Sequence, residues 1–78
     1  MTLGGFLEKR RGALSQPDVA RAIGTTRATV SNWENGHRLP GVEYLDALVD
    51  FFELDDHEAR QLLRLAAKAR ADARSRAA

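Results

Sequence analysis

The side chains best suited to recognition chemistry lie in one short segment, over residues 26–38. Arg27 carries a guanidinium fork that matches the O6 and N7 atoms of guanine, and Asn32 carries an amide that can pair with adenine through two hydrogen bonds. Ala28 offers a methyl group to a thymine methyl, or simply clearance. Short or planar side chains are unusual on a solvated helix face, which normally bears long residues of alternating charge. The segment therefore predicts contact with base edges in the major groove of double-stranded DNA.

A second group of side chains suits the phosphates of the same duplex. Five hydroxyl, amide or basic residues of the segment, together with Gln16 before it, are the predicted phosphate contacts: Gln16, Thr26, Thr29, Asn35, His37 and Arg38. Alternatives stay open for several of the residues. Arg27 is either a base contact or a phosphate clamp, Asn32 either meets adenine or contacts a phosphate or water, and Thr26 is equally expected to cap a helix. His37 is expected to be a neutral surface donor.

Two short helices and a tight turn must position these residues. Apolar side chains recur on one face of each predicted helix: Val19, Ala20 and Ile23, then Val30 and Trp33. Gly24 lies between the helices, where a chain that reverses direction often needs a positive φ. The second helix is predicted over about residues 26–35, with Trp33 in the core rather than stacked on bases. This is the pattern of a helix-turn-helix whose second helix enters the major groove.

The rest of the chain predicts an all-α fold of five helices. The further helices are expected over 3–11, over 42–53 and from Asp55 or Asp56 onwards, and the first helix of the motif over 15–23. Ser15 is a preferred N-cap, and Asp55 with Glu58 resembles a capping box. The expected core outside the motif consists of Leu3, Phe6, Leu7, Leu14, Leu39, Val42, Leu45, Leu48, Val49, Phe52, Ala59, Leu62, Leu63, Ala66 and Ala69. Tyr44 and Phe51 are expected to be partly exposed, and Leu65 to face solvent or a partner.

Composition bounds the function. The chain has 78 residues, no cysteine and a net charge of +1, which fits one small domain without disulfides or a thiolate metal site. The charge is unevenly distributed: residues 1–40 carry +3, residues 41–58 carry −7 and residues 59–78 carry +5. A nucleic-acid-binding protein can be nearly neutral if its positive groups share one face, although these charges are equally explained as solvated helix faces. Without a signal peptide or apolar span, a cytoplasmic, nucleoid-associated location and no membrane contact are expected.

Catalysis is not expected. The sequence lacks a nucleophile–base pair with a supporting group and a glycine-rich phosphate loop, and its two histidines, His37 and His57, are far apart. The acidic residues of the fourth helix spread around an exposed face. We therefore expect no enzyme, no cofactor and no bound metal.

The run from Leu14 to Pro40 resembles the Cro/CI-type helix-turn-helix family, also called the xenobiotic-response-element family. The residues that carry the resemblance are Leu14-Ser15-Gln16, Ala20 and Gly24 at the turn, Val30-Ser31, Trp33-Glu34-Asn35-Gly36, and the exit from Arg38 to Pro40. The resemblance covers residues 3–54. It implies a five-helix lambda-repressor-like bundle that binds a two-fold symmetric operator as a dimer. It also implies base contacts from Arg27, Ala28 and Asn32, and phosphate contacts from Gln16, Asn35 and the loop after Gly36.

The resemblance raises two further expectations. Family members often pair a basic residue of the first helix with the residue at Glu34; here this is Lys9 or Arg10, and helical phase favours Arg10. The last predicted helix is similar to the end of the N-terminal domain in actinobacterial regulators of this family, which carry a second domain. We therefore expect a DNA-binding domain over 1–67, an Ala/Arg-rich helix extension or linker over 68–78, and a chain that is part of a longer regulator.

The sequence thus predicts a sequence-specific regulator of transcription, most simply a repressor, that forms a homodimer at least on DNA. A co-regulator protein or a downstream domain is a further expected partner. The alternative is a protein-interaction module of the same fold, in which DNA binding is reduced or lost. Its partner surface would combine the acidic fourth helix with Tyr44, Phe51 and Leu65.

Overall fold

Five α-helices follow one another in the computed structural model, which describes residues 1–77. They are α1 (Leu3–Arg11), α2 (Gln16–Ile23), α3 (Arg27–Glu34), α4 (Val42–Phe51) and α5 (Asp56–Ala77). The predicted all-α, five-helix bundle is confirmed. Helix α4 ends two residues earlier than expected, because Glu53 adopts a left-handed φ of 52° that no α-helix can contain. The predicted extension over 68–78 includes Ala78, which lies outside the described residues.

Local chemistry explains where the helices begin. Ser15 accepts a hydrogen bond from the N–H of Asp18 at 3.1 Å, and its own N–H donates to the Asp18 carboxylate at 3.2 Å. The N–H of Glu58 donates to Asp55 at 2.8 Å, and the N–H of Asp55 donates to Glu58 at 3.1 Å. Both pairs are reciprocal capping boxes, which satisfy N–H groups that have no partner inside the helix. The capping predicted at Ser15 and at Asp55 is therefore confirmed.

The core lies where α2, α3 and α4 meet α1 and the first half of α5. Its buried apolar residues are Leu3, Phe6, Leu7, Val19, Ala20, Val30, Trp33, Leu45, Leu48, Leu62 and Ala66. Leu48 and Leu62, at 1% and 0%, are the least exposed of these core residues, and they come from α4 and α5. These two helices therefore close the bundle over the helix-turn-helix.

Four expectations about the core were wrong. Leu14, Val42 and Leu63 are 42%, 67% and 50% exposed, whereas Leu65 packs against the core. Val42 opens α4, and a side chain at that position leans past the helix end, away from the bundle. On α5 the inner face is centred on Leu62, and a residue one step along the helix is turned by about 100° away from it. Leu65, three residues from Leu62, returns to the inner face.

A glycine lets α1 approach the end of α3 closely. Gly4 is buried, and a Cβ atom placed on it would overlap the carbonyl oxygen of Glu34 and lie 2.8 Å from the carbonyl carbon. These are backbone atoms, so they cannot rotate away as a flexible side chain would. The position of α1 against α3 therefore depends on the absence of a side chain at residue 4.

Helix α5 is the longest element, with 22 residues. Its second half carries Arg70, Arg74 and Arg76, and all three are exposed. Among the residues that the structure describes, no helix combines the length and the apolar character needed to cross a lipid bilayer.

Substitution of Gly4 by alanine should destabilise the fold by about 3 kcal/mol or more, because the added methyl group cannot fit without separating α1 from α3. Gly5→Ala is the matched control: Gly5 is exposed on the same helix, and its nearest contact would be the Thr2 hydroxyl at 3.1 Å. We expect the control to stay within about 1 kcal/mol of the wild type. Urea denaturation followed by circular dichroism measures both, and equal stability of the two variants would contradict the close approach.

Candidate nucleic-acid interface

The predicted helix-turn-helix is present in α2 and α3. Gly24 ends α2 with a left-handed φ of 79°, and the N–H of Thr25 donates to the carbonyl of Ala20 at 2.9 Å. The chain can therefore reverse direction within three residues. Trp33 is 3% exposed and packs against Tyr44 with ring centroids 5.3 Å apart. The prediction that Trp33 belongs to the core is confirmed.

Burial of Trp33 turns the opposite face of α3 outward. Arg27 and Ala28 are exposed, and Ser31 and Asn32 are partly exposed. Residues four apart lie one above the other on a helix, so these four side chains form a single patch. The structure therefore brings the three predicted base-contacting residues Arg27, Ala28 and Asn32 together on one face. Their contacts with bases stay a prediction.

Thr26 and Thr29 lie where α3 begins. The Thr26 hydroxyl accepts from the N–H of Thr29 at 3.2 Å, and the two hydroxyl oxygens are 2.9 Å apart. Thr26 is thus the N-cap of α3, which confirms one of its two expected roles. The phosphate contacts predicted for Thr26 and Thr29 stay predictions.

The segment after α3 folds back onto the helix end. Gly36 has a left-handed φ of 78°, and the N–H groups of His37 and Arg38 both donate to the carbonyl of Asn32, at 2.9 and 3.2 Å. Asn35, His37 and Arg38 are consequently exposed beside the last turn of α3. The three residues predicted to anchor a phosphate lie close together there, and their contact with a phosphate stays a prediction.

The ion pair of Glu34 differs from the predicted one. Arg11, and not Arg10, forks onto the Glu34 carboxylate: Nε donates to Oε2 at 2.7 Å and Nη2 donates to Oε1 at 3.0 Å. The prediction of an Arg10–Glu34 pair was wrong by one residue. Arg10 points instead toward α5, where it pairs with Glu58 and covers the ring of Phe6 with its guanidinium 5.7 Å from the centroid.

Gln16 completes the surroundings of this carboxylate. Its side-chain N–H donates to Glu34 Oε1 at 3.1 Å, and the Arg11 guanidinium also donates to the carbonyl of Leu14 at 2.8 Å. The Glu34 side chain is 3% exposed, so a charge there needs such partners. The hydrogen bond to Glu34 raises the pKa of Arg11 above its already high ordinary value, so the guanidinium stays charged.

We define Arg11, Gln16 and Glu34 as the Glu34 cluster. It ties the end of α1, the start of α2 and the end of α3 to one point. Sequence analysis assigned Gln16 to phosphate alone and missed Arg11. The signal available for Arg11 was its position at the last turn of α1, next to the Gly12 that ends the helix.

Within residues 1–77, no group of three or more histidine and acidic side chains could hold a metal ion. His37 and His57 are both exposed and belong to different parts of the fold.

The two packed helices, the buried Trp33 and the exposed polar face of α3 define a helix-turn-helix domain. The comparison with protein families agrees: the family model described as "Helix-turn-helix domain" matches residues 2–62, and the chain belongs to this family. Membership indicates DNA binding and a role in transcription regulation, and the family is typically non-enzymatic. The narrower Cro/CI-type assignment stays a prediction. Searches of the curated proteins and of the solved structures returned no match.

Replacement of Arg11 by alanine should cost about 3 kcal/mol of stability, because it leaves the buried Glu34 carboxylate without its counter-ion. Arg10→Ala is the matched control, since it removes the neighbouring arginine from a more exposed pair; we expect a loss of about 1 kcal/mol or less. Chemical denaturation measures both variants. If Arg10→Ala were the more damaging change, the assignment of the ion pair to Arg11 would be wrong.

The capping box of α2 should make the free energy of unfolding depend on pH. Hydrogen bonding with Ser15, through its side chain and then its backbone, lowers the pKa of the Asp18 carboxyl, and the charge of Arg21 adds to this. A lowered folded-state pKa means that Asp18 stabilises the fold above its unfolded pKa, and that this contribution is lost as the pH falls through the folded value.

Asp18→Asn should therefore melt below the wild type at pH 6, and the gap should close as the pH falls below about 4. Melting temperatures measured by circular dichroism across this range provide the test. Asp46→Asn, which removes an exposed carboxylate of α4, controls for the change in net charge. A gap of constant size down to about pH 2 would contradict the role of the Asp18 charge.

Proposed function

We propose that this chain is a sequence-specific, double-stranded DNA-binding regulator of transcription, most simply a repressor, that inserts α3 into the major groove. The observation that carries the proposal is the exposed face of α3. Arg27, Ala28 and Asn32 share that face, while Trp33 on the opposite side is buried in the core. A helix held in this way offers short, hydrogen-bonding side chains to a partner without unfolding any part of the bundle.

Arg27 and Asn32 provide the discrimination between bases. Arg27 is the first residue of α3, where base contacts of helix-turn-helix proteins concentrate, and its fork suits guanine. Asn32 lies five residues further along the same face and suits adenine. Ala28 lies between them and allows the helix to approach a thymine methyl closely.

Phosphates on either side of the groove are met by the ends of the two helices. Gln16 is the first residue of α2, and one of its two amide hydrogens goes to Glu34, so the other is free to be donated to a phosphate. Thr26 and Thr29 offer hydroxyls at the start of α3, and Asn35, His37 and Arg38 offer donors at its end. Because Arg11 neutralises Glu34, the one acidic residue of α3 does not repel the duplex.

The regulator acts as a homodimer, at least on DNA. Two copies related by a two-fold axis place their α3 helices in successive major grooves about 34 Å apart, which requires an operator of matching symmetry. The resemblance to Cro/CI-type proteins supports this arrangement, as well as a cytoplasmic, nucleoid-associated location. It also supports the division into a DNA-binding domain over 1–67 and an extension over 68–78 that leads to a downstream domain or a co-regulator.

A protein-interaction module without DNA binding has weaker support. Tyr44, Phe51 and Leu65, which would form its partner surface, are partly buried and pack against the core. The acidic residues of α4 are exposed, yet an acidic helix on one side is compatible with DNA on another. We therefore retain DNA binding as the function.

The proposal is tested by the specificity of an Arg27→Ala variant. The wild-type chain first selects its preferred sites from a random pool of double-stranded oligonucleotides, and binding to that site and to each single-base variant is then measured at one fixed salt concentration. We expect Arg27→Ala to lose about 1–3 kcal/mol of discrimination at one base position and to keep its preference at the others. Arg64→Ala, which removes an exposed arginine from α5, should keep the full pattern of preferences.

Two outcomes would oppose the proposal. Equal weakening on every sequence would make Arg27 a phosphate clamp and remove it from base recognition. Wild-type binding that does not weaken with salt would exclude phosphates as the source of affinity, since each phosphate neutralised should steepen the dependence of log K on log salt by about 0.9.

A further inference from the structure

A groove separates the second half of α5 from the rest of the bundle. It has a volume of ≈ 310 Å³ and opens to the surface between the start of α1, the segment after α3 and the second half of α5. Asn35, His37 and Arg38 line one wall, and Asp72, Ala73 and Arg76 line the other. The groove therefore extends from the end of α3 to the second half of α5, which contributes none of the predicted DNA contacts.

The ionisable groups of the groove leave it cationic. Of its two acidic residues, Glu34 is neutralised by Arg11, and Asp72 is paired with Lys68 at 3.2 Å. The two arginines, Arg38 and Arg76, are exposed, and neither has a salt-bridge partner in the part of the chain that the structure describes. Two such guanidinium groups that line one groove are suited to a shared phosphate.

We propose that this groove is an auxiliary site for the DNA backbone, in which Arg76 of α5 and Arg38 bind a phosphodiester just outside the segment read by α3. This inference rests on the proposed function and extends it to the C-terminal helix. Arg38 is the shared residue: it follows the end of α3 on one side and forms a wall of the groove on the other. A duplex whose phosphates reach His37 and Arg38 therefore passes the mouth of the groove.

A free inorganic phosphate offers the same chemistry as a phosphodiester, and the position of the groove favours the duplex. An isolated ion in an open, solvated groove gains little from two exposed arginines, because water screens their charges. A phosphodiester that is part of a bound duplex is already held near Arg38 by the neighbouring contacts, so it reaches Arg76 at a high effective concentration.

The test compares Arg76→Gln with Arg74→Gln in the full chain on the selected site. Both variants remove one positive charge from the exposed second half of α5, but only residue 76 of this pair lines the groove. We expect Arg76→Gln to weaken binding roughly threefold to tenfold, equally on all sequences, and to make the slope of log K against log salt shallower by about 0.9. Arg74→Gln should keep the slope of the wild type, and thermal melting should be alike for all three proteins.

A double-mutant cycle tests whether Arg38 and Arg76 bind the same phosphate. If Arg38 and Arg76 bind one phosphate, the loss caused by Arg76→Gln should shrink at least twofold when Arg38 is already glutamine. A third arm titrates the free protein with inorganic phosphate at constant ionic strength and follows the arginine side-chain NMR signals.

The possible results distinguish failure of the auxiliary site from failure of the proposed function. Loss of slope in Arg76→Gln alone, with coupling to Arg38, supports the auxiliary site. An unchanged slope in Arg76→Gln, or equal effects of Arg74→Gln and Arg76→Gln, would overturn it while wild-type DNA binding still stands. Saturable binding of inorganic phosphate, with DNA affinity unaffected by Arg76→Gln, would overturn it in favour of a small-anion site. Failure of the wild type to bind any duplex would refute the proposed function itself.

Discussion

The fold depends on a buried carboxylate at the point where three helices meet. Glu34 closes α3 and is bound by the fork of Arg11 and by the amide of Gln16, while its backbone carbonyl lies against Gly4. A charge so far from water is tolerated only when each of its oxygens has a donor, which restricts α1 and α2 to one arrangement around it. Such a pair adds less net stability than an apolar contact of equal size, and its value here lies in fixing where α3 ends relative to the other two helices.

This constraint and the burial of Trp33 act on α3 from the same side. The indole anchors the helix to the core next to Tyr44, and the carboxylate beside it fixes the last turn. The residues left outside are then small or planar, so the exposed surface is shaped by the interior contacts as much as by its own composition. Rigidity of this kind matters for recognition, because a hydrogen bond to a base edge is lost when a side chain is misplaced by about 1 Å.

The charged residues are unevenly distributed over the bundle as a whole. The acidic residues concentrate in α4 and at the start of α5, whereas three basic residues lie in the last turn of α1 and six lie along α5. Ion pairs offset the charges of the two acidic residues that line the groove beside the segment after α3, Glu34 and Asp72. A chain with a net charge of +1 can therefore present a positive surface, and its overall charge says little about its partner.

The local structure could be predicted from the sequence alone. The helix starts at Ser15 and Asp55, the left-handed turn at Gly24 and the inward direction of Trp33 follow from signals that act within three or four residues, and each was predicted correctly. The partners that residues of one helix find on another could not be predicted in this way.

Whether Arg10 or Arg11 reaches Glu34 depends on how α1 crosses α3, and a shift of one residue turns a side chain by about 100°. The need for glycine at position 4, the exposure of Leu63 in place of Leu65, and the groove that joins Arg38 to Arg76 also depend on contacts between helices that are far apart in the chain. Periodicity gives the faces of single helices, but it does not give the angles at which the helices pack, and those angles set the partners.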